Sequence, residues 1–250
     1  MSLAIKDLPS PNFGPRKPVK GRVGVRHIVM HYTGMKTCQN ALDRLCDQKA
    51  EVSAHYVVDE DASIYRLVPE KMRAWHAGVS FWHGQRDINS TSVGIEIVNP
   101  GHEYGYRAFP DAQIEAVIVL AGDIMDRYQI APCDILGHSD IAPGRKTDPG
   151  ELFPWERLSL EGIGVWPEET VIVPGHVDLN GALRRLSDIG YAVPMTSELG
   201  SDILNPDSAV TDVVKAFQGH YHQSRADGIL DAETAAAIAA VAVRFAKARG

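Results

Sequence analysis

Cysteine is scarce in this chain of 250 residues. Cys38, Cys46 and Cys133 are an odd set that builds no disulfide framework, and no CxxC pair offers a thiolate metal site. Free thiols suit a reducing compartment. The opening stretch MSLAIKDLPSPNFGPRKP holds no apolar run of leader length, so a cytoplasmic location is expected and the periplasm stays open. No segment has the apolar length of a membrane span. Positive charge is short as well: 25 Lys and Arg stand against 32 Asp and Glu, for a net charge of −7. That balance argues against electrostatic capture of nucleic acid or anionic lipid. There is no HExxH pair, so a zincin-type metal helix is excluded.

What is present is an ordinary globular mixture, 44% hydrophobic and 23% charged, long enough for one large domain or for a medium domain and a small one. Four prolines (Pro9, Pro11, Pro15 and Pro18) predict an extended opening arm. Val25 to His31 reads as a strand with His27, Val29 and His31 on one face. Cys38 to Glu51 has helical spacing, with Ala41, Leu42 and Leu45 as its apolar stripe. His55–Val58 and Ser63–Val68 form a hairpin about an acidic turn, and Val93–Val98 is a further strand. Asp111 to Tyr128 is the clearest helix, with Asp111 as its expected N-cap. Ile135–Leu136 is a short strand, and Ala142 to Pro154 is a loop. The class is therefore α/β, a mixed central sheet flanked by helices, plus a small three-helix unit near Asp178–Leu186, Val210–Phe217 and Ala232–Ala248. The expected division is 1–165 for the larger domain, 166–176 for a linker containing Pro167 and Pro174, and 177–250 for the helical unit.

Three residues stand out as a possible ligand set. His31 ends a strand, His138 follows Gly137 at the end of another, and Asp148 lies ten residues on. Two imidazoles and a carboxylate make a three-ligand zinc site with its fourth position open to water. Each histidine alone reads as well as a packed or surface residue. Glu96 interrupts an apolar strand and shares a face with Gly94 and Val98, Gly94 leaving room beside the acid. It is either a partly desolvated general base or a carboxylate on a wet face or in an ion pair. Lys146 is either an oxyanion stabiliser beside Asp148 or a surface lysine.

The segments His27–Thr33, Val52–Val58, Arg73–Gly78, Ser92–Glu96 and Gly137–Gly150, taken in order, resemble the type 2 N-acetylmuramoyl-L-alanine amidases. These include the anhydromuramyl-peptide amidases of wall recycling, with phage lysozyme-like amidases and peptidoglycan recognition proteins as more distant relatives. The likeness covers roughly residues 20 to 157, and its last segment is the most specific. It implies zinc ligands at His31, His138 and Asp148, Glu96 as catalytic base, and Lys146 as transition-state stabiliser. It implies that His55, Trp75 and His76 shape the substrate groove. Some relatives carry a tyrosine just before the histidine matching His55. Here that position is Ala54, which leaves Glu96 to carry the proton chemistry.

The C-terminal pieces Leu183–Tyr191, Val214–Gln218 and Asp227–Thr234 resemble a three-helix peptidoglycan-binding domain, although the usual Gly before the acidic cap is replaced by Leu230. The resemblance thus implies one zinc ion and a peptidoglycan or muropeptide substrate. The expected reaction is cleavage of the amide between the muramic-acid lactyl group, 1,6-anhydro or not, and the first L-alanine. A non-catalytic peptidoglycan sensor and a metal hydrolase for another amide are the rival readings.

Overall fold

The computed structural model describes residues 4–167, 177–193 and 208–249, so the expected linker lies outside the described residues from 168 onward. The strands are β1 (Ile5–Asp7), β2 (Phe13–Pro15), β3 (His27–Tyr32), β4 (Tyr56–Val58), β5 (Ile64–Arg66), β6 (Met72–Ala74), β7 (Ser92–Ile97) and β8 (Ile135–Gly137). The helices are α1 (Cys38–Cys46), α2 (Gly101–Tyr104), α3 (Asp111–Tyr128), α4 (His138–Ile141), α5 (Trp155–Leu160), α6 (Leu179–Ile189), α7 (Ser208–Tyr221) and α8 (Ala232–Arg249).

Six strands make one mixed sheet in the order β1-β5-β4-β7-β3-β8, with only the β4–β5 pair antiparallel. The proline-rich arm is extended but not free: β1 adds to the sheet edge, and β2 pairs with β6. Arg16 anchors it, because its buried guanidinium donates to the carbonyls of Glu70, Asn89 and Ser92.

The central strands are apolar on both faces because both are covered. Ile28 and Met30 of β3 join Ile95 and Ile97 of β7 beneath Val117, Leu120 and Ile124 of α3. On the other face Val29 and Leu136 join one cluster with Leu186, Phe217, Val241 and Phe245 of α6, α7 and α8. The helical trio therefore shares its core with the sheet. Its own apolar surface is small, and the sheet supplies the missing partner.

Local details follow side-chain chemistry. α1 is shorter than its spacing predicts: after Cys46, Asp47 accepts from the Lys49 N–H and starts a separate 3-10 turn. Asp111 is not the N-cap of α3. Pro110, in an extended conformation, holds that position, while Asp111 is the first helical residue and accepts from Arg157 of α5. Asp178 and Asp231 do cap their helices, through the Gly181 and Thr234 N–H groups.

The C-terminal sequence pieces converge on the buried Gln218. Its amide donates to the Ile229 carbonyl and the Thr234 hydroxyl and accepts from the Gly228 N–H. Gly228 has φ +81, and a side chain there would press on Thr211. Cys38, Cys46 and Cys133 are free thiols. Among the described residues, no helix is long and apolar enough to cross a membrane.

Candidate metal centre and groove

β3, β7 and β8 are parallel neighbours, so their carboxyl ends meet at one rim, where open α/β sheets usually place ligands. Register sets His31 beside Glu96, and Met30 beside Gly137, the residue before His138. The loop after α4 folds back, its Asp148 carbonyl accepting from the Ser139 N–H, and brings the Asp148 carboxylate to the rim. Residues 107 and 117 positions apart thus become neighbours.

His31 Nδ1 lies 2.9 Å from His138 Nδ1 and 3.0 Å from Asp148 Oδ2, and the last two are 2.9 Å apart. All three residues are buried. Their partners fix where the imidazole protons sit. The Ser92 hydroxyl donates to the Ile88 carbonyl at 2.7 Å, so toward His76 Nε2, at 3.2 Å, it accepts. His76 Nδ1 is then a lone pair that accepts from His31 Nε2 at 3.0 Å, which leaves a lone pair on His31 Nδ1. His138 Nε2 faces the Ala77 carbonyl at 3.2 Å and must donate, so its Nδ1 is a lone pair too. Burial holds His31 down at about 4, which keeps the imidazole neutral. Two lone pairs and a carboxylate oxygen pointing at one another repel unless a cation lies between them. The donor set suits a metal ion, and tetrahedral ligands about 2.0–2.2 Å from a centre would sit only slightly farther apart than these do.

Glu96 stands at the same rim, partly buried, with Oε2 shielded and without a hydrogen-bond partner among the described residues. Burial, and then the Asp148 charge, push its carboxyl well above the usual range, with Lys146 opposing. Lys146 is exposed and lines the groove with Trp75, His76, Glu96, His138 and Asp148. This groove, about 400 Å³, is also lined by Arg44, Leu45 and Val52.

Of the residues expected to shape the groove, Trp75 and His76 do line it, while His55 does not. His55 is fully buried below His76, where its Nδ1 accepts from the Gly94 N–H and its Nε2 faces the Met72 carbonyl and Arg16. A histidine at the start of a strand looks the same in sequence whether its ring turns out or in. The room left by Gly94 is filled by His76, not by the acid: a Cβ at 94 would lie 2.5 Å from the His76 ring. His76 is thus the direct support of His31.

Other supports leave no mark in the sequence pattern. Asn89 accepts from the His76 and Ala77 N–H groups, and Arg145 donates to the Ala77 and Val79 carbonyls. Arg145 sits beside Lys146 in the chain, but nothing in its residue type signals that it turns back under His138.

The family described as N-acetylmuramoyl-L-alanine amidase (Amidase_2) matches residues 20–151. The chain is 36% identical over 244 residues to the N-acetylmuramoyl-L-alanine amidase AmiD of Escherichia coli K12, covering 88% of this chain and 83% of that one. It is 40% identical over 107 residues to the 1,6-anhydro-N-acetylmuramyl-L-alanine amidase AmpD of Enterobacter cloacae, covering 43% of this chain and 55% of the relative. The fold matches a solved complex of E. coli AmiD with anhydro-N-acetylmuramic acid-L-Ala-D-gamma-Glu-L-Lys at a TM-score of 0.75 and 33% identity, covering 94% of this chain and 98% of that one. It matches AmpDh3 of Pseudomonas aeruginosa at 0.77 and 32%, covering 92% and 96%.

Proposed function

The chain belongs to the N-acetylmuramoyl-L-alanine amidase family, and from that premise we propose that it is a zinc enzyme hydrolysing the amide between a muramic-acid lactyl group and the L-alanine of a stem peptide. The proposed substrate is a soluble muropeptide ending in 1,6-anhydro-N-acetylmuramic acid, the kind of molecule held in the similar AmiD complex. The observation that carries the reading is the convergence of three lone-pair donors beside a carboxylate oxygen with no hydrogen-bond partner among the described residues, with His138, Asp148 and Glu96 lining an open groove.

His31, His138 and Asp148 are the proposed ligands. Zinc bound there supplies Lewis acidity, bringing the pKa of water toward about 7 and polarising a carbonyl. Glu96 takes the proton from the attacking water as its oxygen adds to the lactyl carbonyl carbon. The Lys146 ammonium faces the oxygen that gains negative charge. Glu96 then gives its proton to the alanine nitrogen as the C–N bond breaks, leaving a lactyl carboxylate and a peptide with a free amine. No covalent intermediate with the protein arises. His76 holds the His31 tautomer throughout, and Trp75 offers a flat wall for the sugar or lactyl side of the substrate.

We also assign residues 1–165 to the catalytic domain, 166–176 to a linker and 177–250 to a peptidoglycan-binding-like unit. Support for the last is the Gln218 knot built from the sequence pieces that carried the resemblance. The test of the main reading is chelation followed by zinc restoration, with products read by mass spectrometry on anhydro-muropeptides and on intact sacculi. Release of peptides beginning with L-alanine should vanish and return. Full activity in metal-free protein overturns the reading.

A further inference from the structure

The far side of His138 holds a buried polar cluster that the reaction does not use. Asp140, two residues after His138, is 1% exposed. Its Oδ2 accepts from the Gly137 N–H at 2.7 Å, which caps the short turn carrying His138. The same oxygen accepts from His220 Nδ1 of α7 at 2.7 Å, and Oδ1 accepts from the Tyr191 hydroxyl, just past α6, at 2.6 Å. His220 is clamped between the Trp155 and Tyr221 rings, with centroids 3.7 and 3.8 Å away. Its Nε2 is buried with no partner among the described residues, so Nδ1 is the nitrogen the site uses.

We propose that Tyr191, just past α6, and His220 of α7 are positioning residues that hold the metal ligand His138 in place through Asp140. A carboxylate taken fully out of water is costly unless its lone pairs are filled. Here two of its three donors come from residues 51 and 80 positions farther along the chain. Without them the cheapest relief is for Asp140 to swing toward water, which frees the Gly137 N–H and lets the 137–141 turn shift. Little slack exists there, since a Cβ on Gly137 would already lie 3.0 Å from Pro149 beside Asp148. His138 rides on this turn, and apart from the facing His31 and Asp148 its ring meets, among the described residues, the Ala77 carbonyl at 3.2 Å and Arg145 at 3.4 Å. The helical unit is therefore part of the metal centre's outer support, whatever polymer it also contacts.

This inference rests on the proposed ligand role of His138. Its test is zinc retention by the full chain against a graded series of chelators. Tyr191→Phe and His220→Leu should each weaken zinc binding about tenfold or more, the usual size of an outer-support loss. His220→Asn, whose amide can reach the Nδ1 position, should recover most of it. Val214→Ala is the control: it opens the same helical core without touching Asp140, and should leave zinc affinity as it was. Should His220→Leu fail to fold, Tyr191→Phe decides alone, since it removes a single oxygen. Wild-type retention in Tyr191→Phe, or an equal loss in Val214→Ala, overturns the inference and leaves the amidase reading standing. A wild-type protein that takes up no zinc overturns both.

Discussion

β3 carries a histidine at each end of one face, His27 and His31, and the two differ in almost nothing that a sequence displays. Both are buried, at 4% and 1% exposure, and burial holds both down at about 4. Yet among the described residues the polar side chains that His27 meets are the Thr91 hydroxyl at 3.2 Å and one carboxylate oxygen of Asp134 at 3.9 Å. His31 faces a second imidazole and a carboxylate, each within 3.0 Å, with its own proton turned away by His76. A buried neutral imidazole is therefore not a site. The site arises because β3, β7 and β8 all end at the His31 rim and the segments that follow them fold over it, whereas the same strands begin at the His27 end.

The sharpest way to break this contrast is to remove each ring in turn. His31→Ala should abolish zinc uptake and reduce muropeptide cleavage to background, while His27→Gln should keep both, with metal content and turnover measured on the same preparations. Equal metal loss in the two variants would mean that the rim geometry is not what selects the ligand. Glu96→Gln comes next. It removes the proposed base but none of the proposed ligands, so turnover should fall about 10²–10⁴-fold while zinc content should stay at one per chain. A parallel loss of zinc would make Glu96 a ligand and not a base.

The longer helices and the central strands were legible because their signal is local, whereas the three-residue strands β1, β2 and β6 and the short helices α2, α4 and α5 were not. The Ile114, Val117, Ile118 and Ala121 stripe predicts α3 to the residue, and the alternation in β3 and β7 assigns faces correctly. The cap at Asp231 is a residue-type signal of the same local kind, the cap at Asp178 came from the structure, and Asp111 misled because the proline before it already ends the extended segment. The proposed ligand set is a different case. Spacing alone offered His31, His138 and Asp148 only as candidates among ten histidines, and the ordered motifs singled them out. What no local pattern carried was ring direction. His55 and His76 lie in similar strand-edge contexts, but one turns under the sheet rim and the other into it, and the Gly94 notch that decides this is visible only when two strands are side by side. The Asp140–Tyr191–His220 cluster was hidden for a stronger reason: Tyr191 and His220 lie 51 and 80 positions from Asp140 in the chain.

The smallest effect concerns the His27 end and turns on two opposed titrations. His27 is depressed to about 4, so from pH 6.5 downward the unfolded chain takes up its proton and the folded chain does not, and stability falls until about pH 4. Asp134 is raised by burial to about 6, so from pH 6 downward the folded chain takes up its proton first, and stability rises until the unfolded carboxyl also protonates near 3.8. The two slopes have opposite signs over nearly the same window, and in the wild type they largely cancel. Asp134→Asn removes the rising slope. Its stability relative to wild type should drop by roughly 2–3 kcal/mol between pH 6 and pH 4, because a one-proton difference between the folded and unfolded chains is worth about 1.36 kcal/mol for each pH step of one. His27→Gln removes the falling slope and should move the other way over the same range. Urea unfolding at a series of pH values reads both. Parallel curves for the two variants would show that this end of β3 does not hold a neutral pair, and the likeness between His27 and His31 would then end at burial.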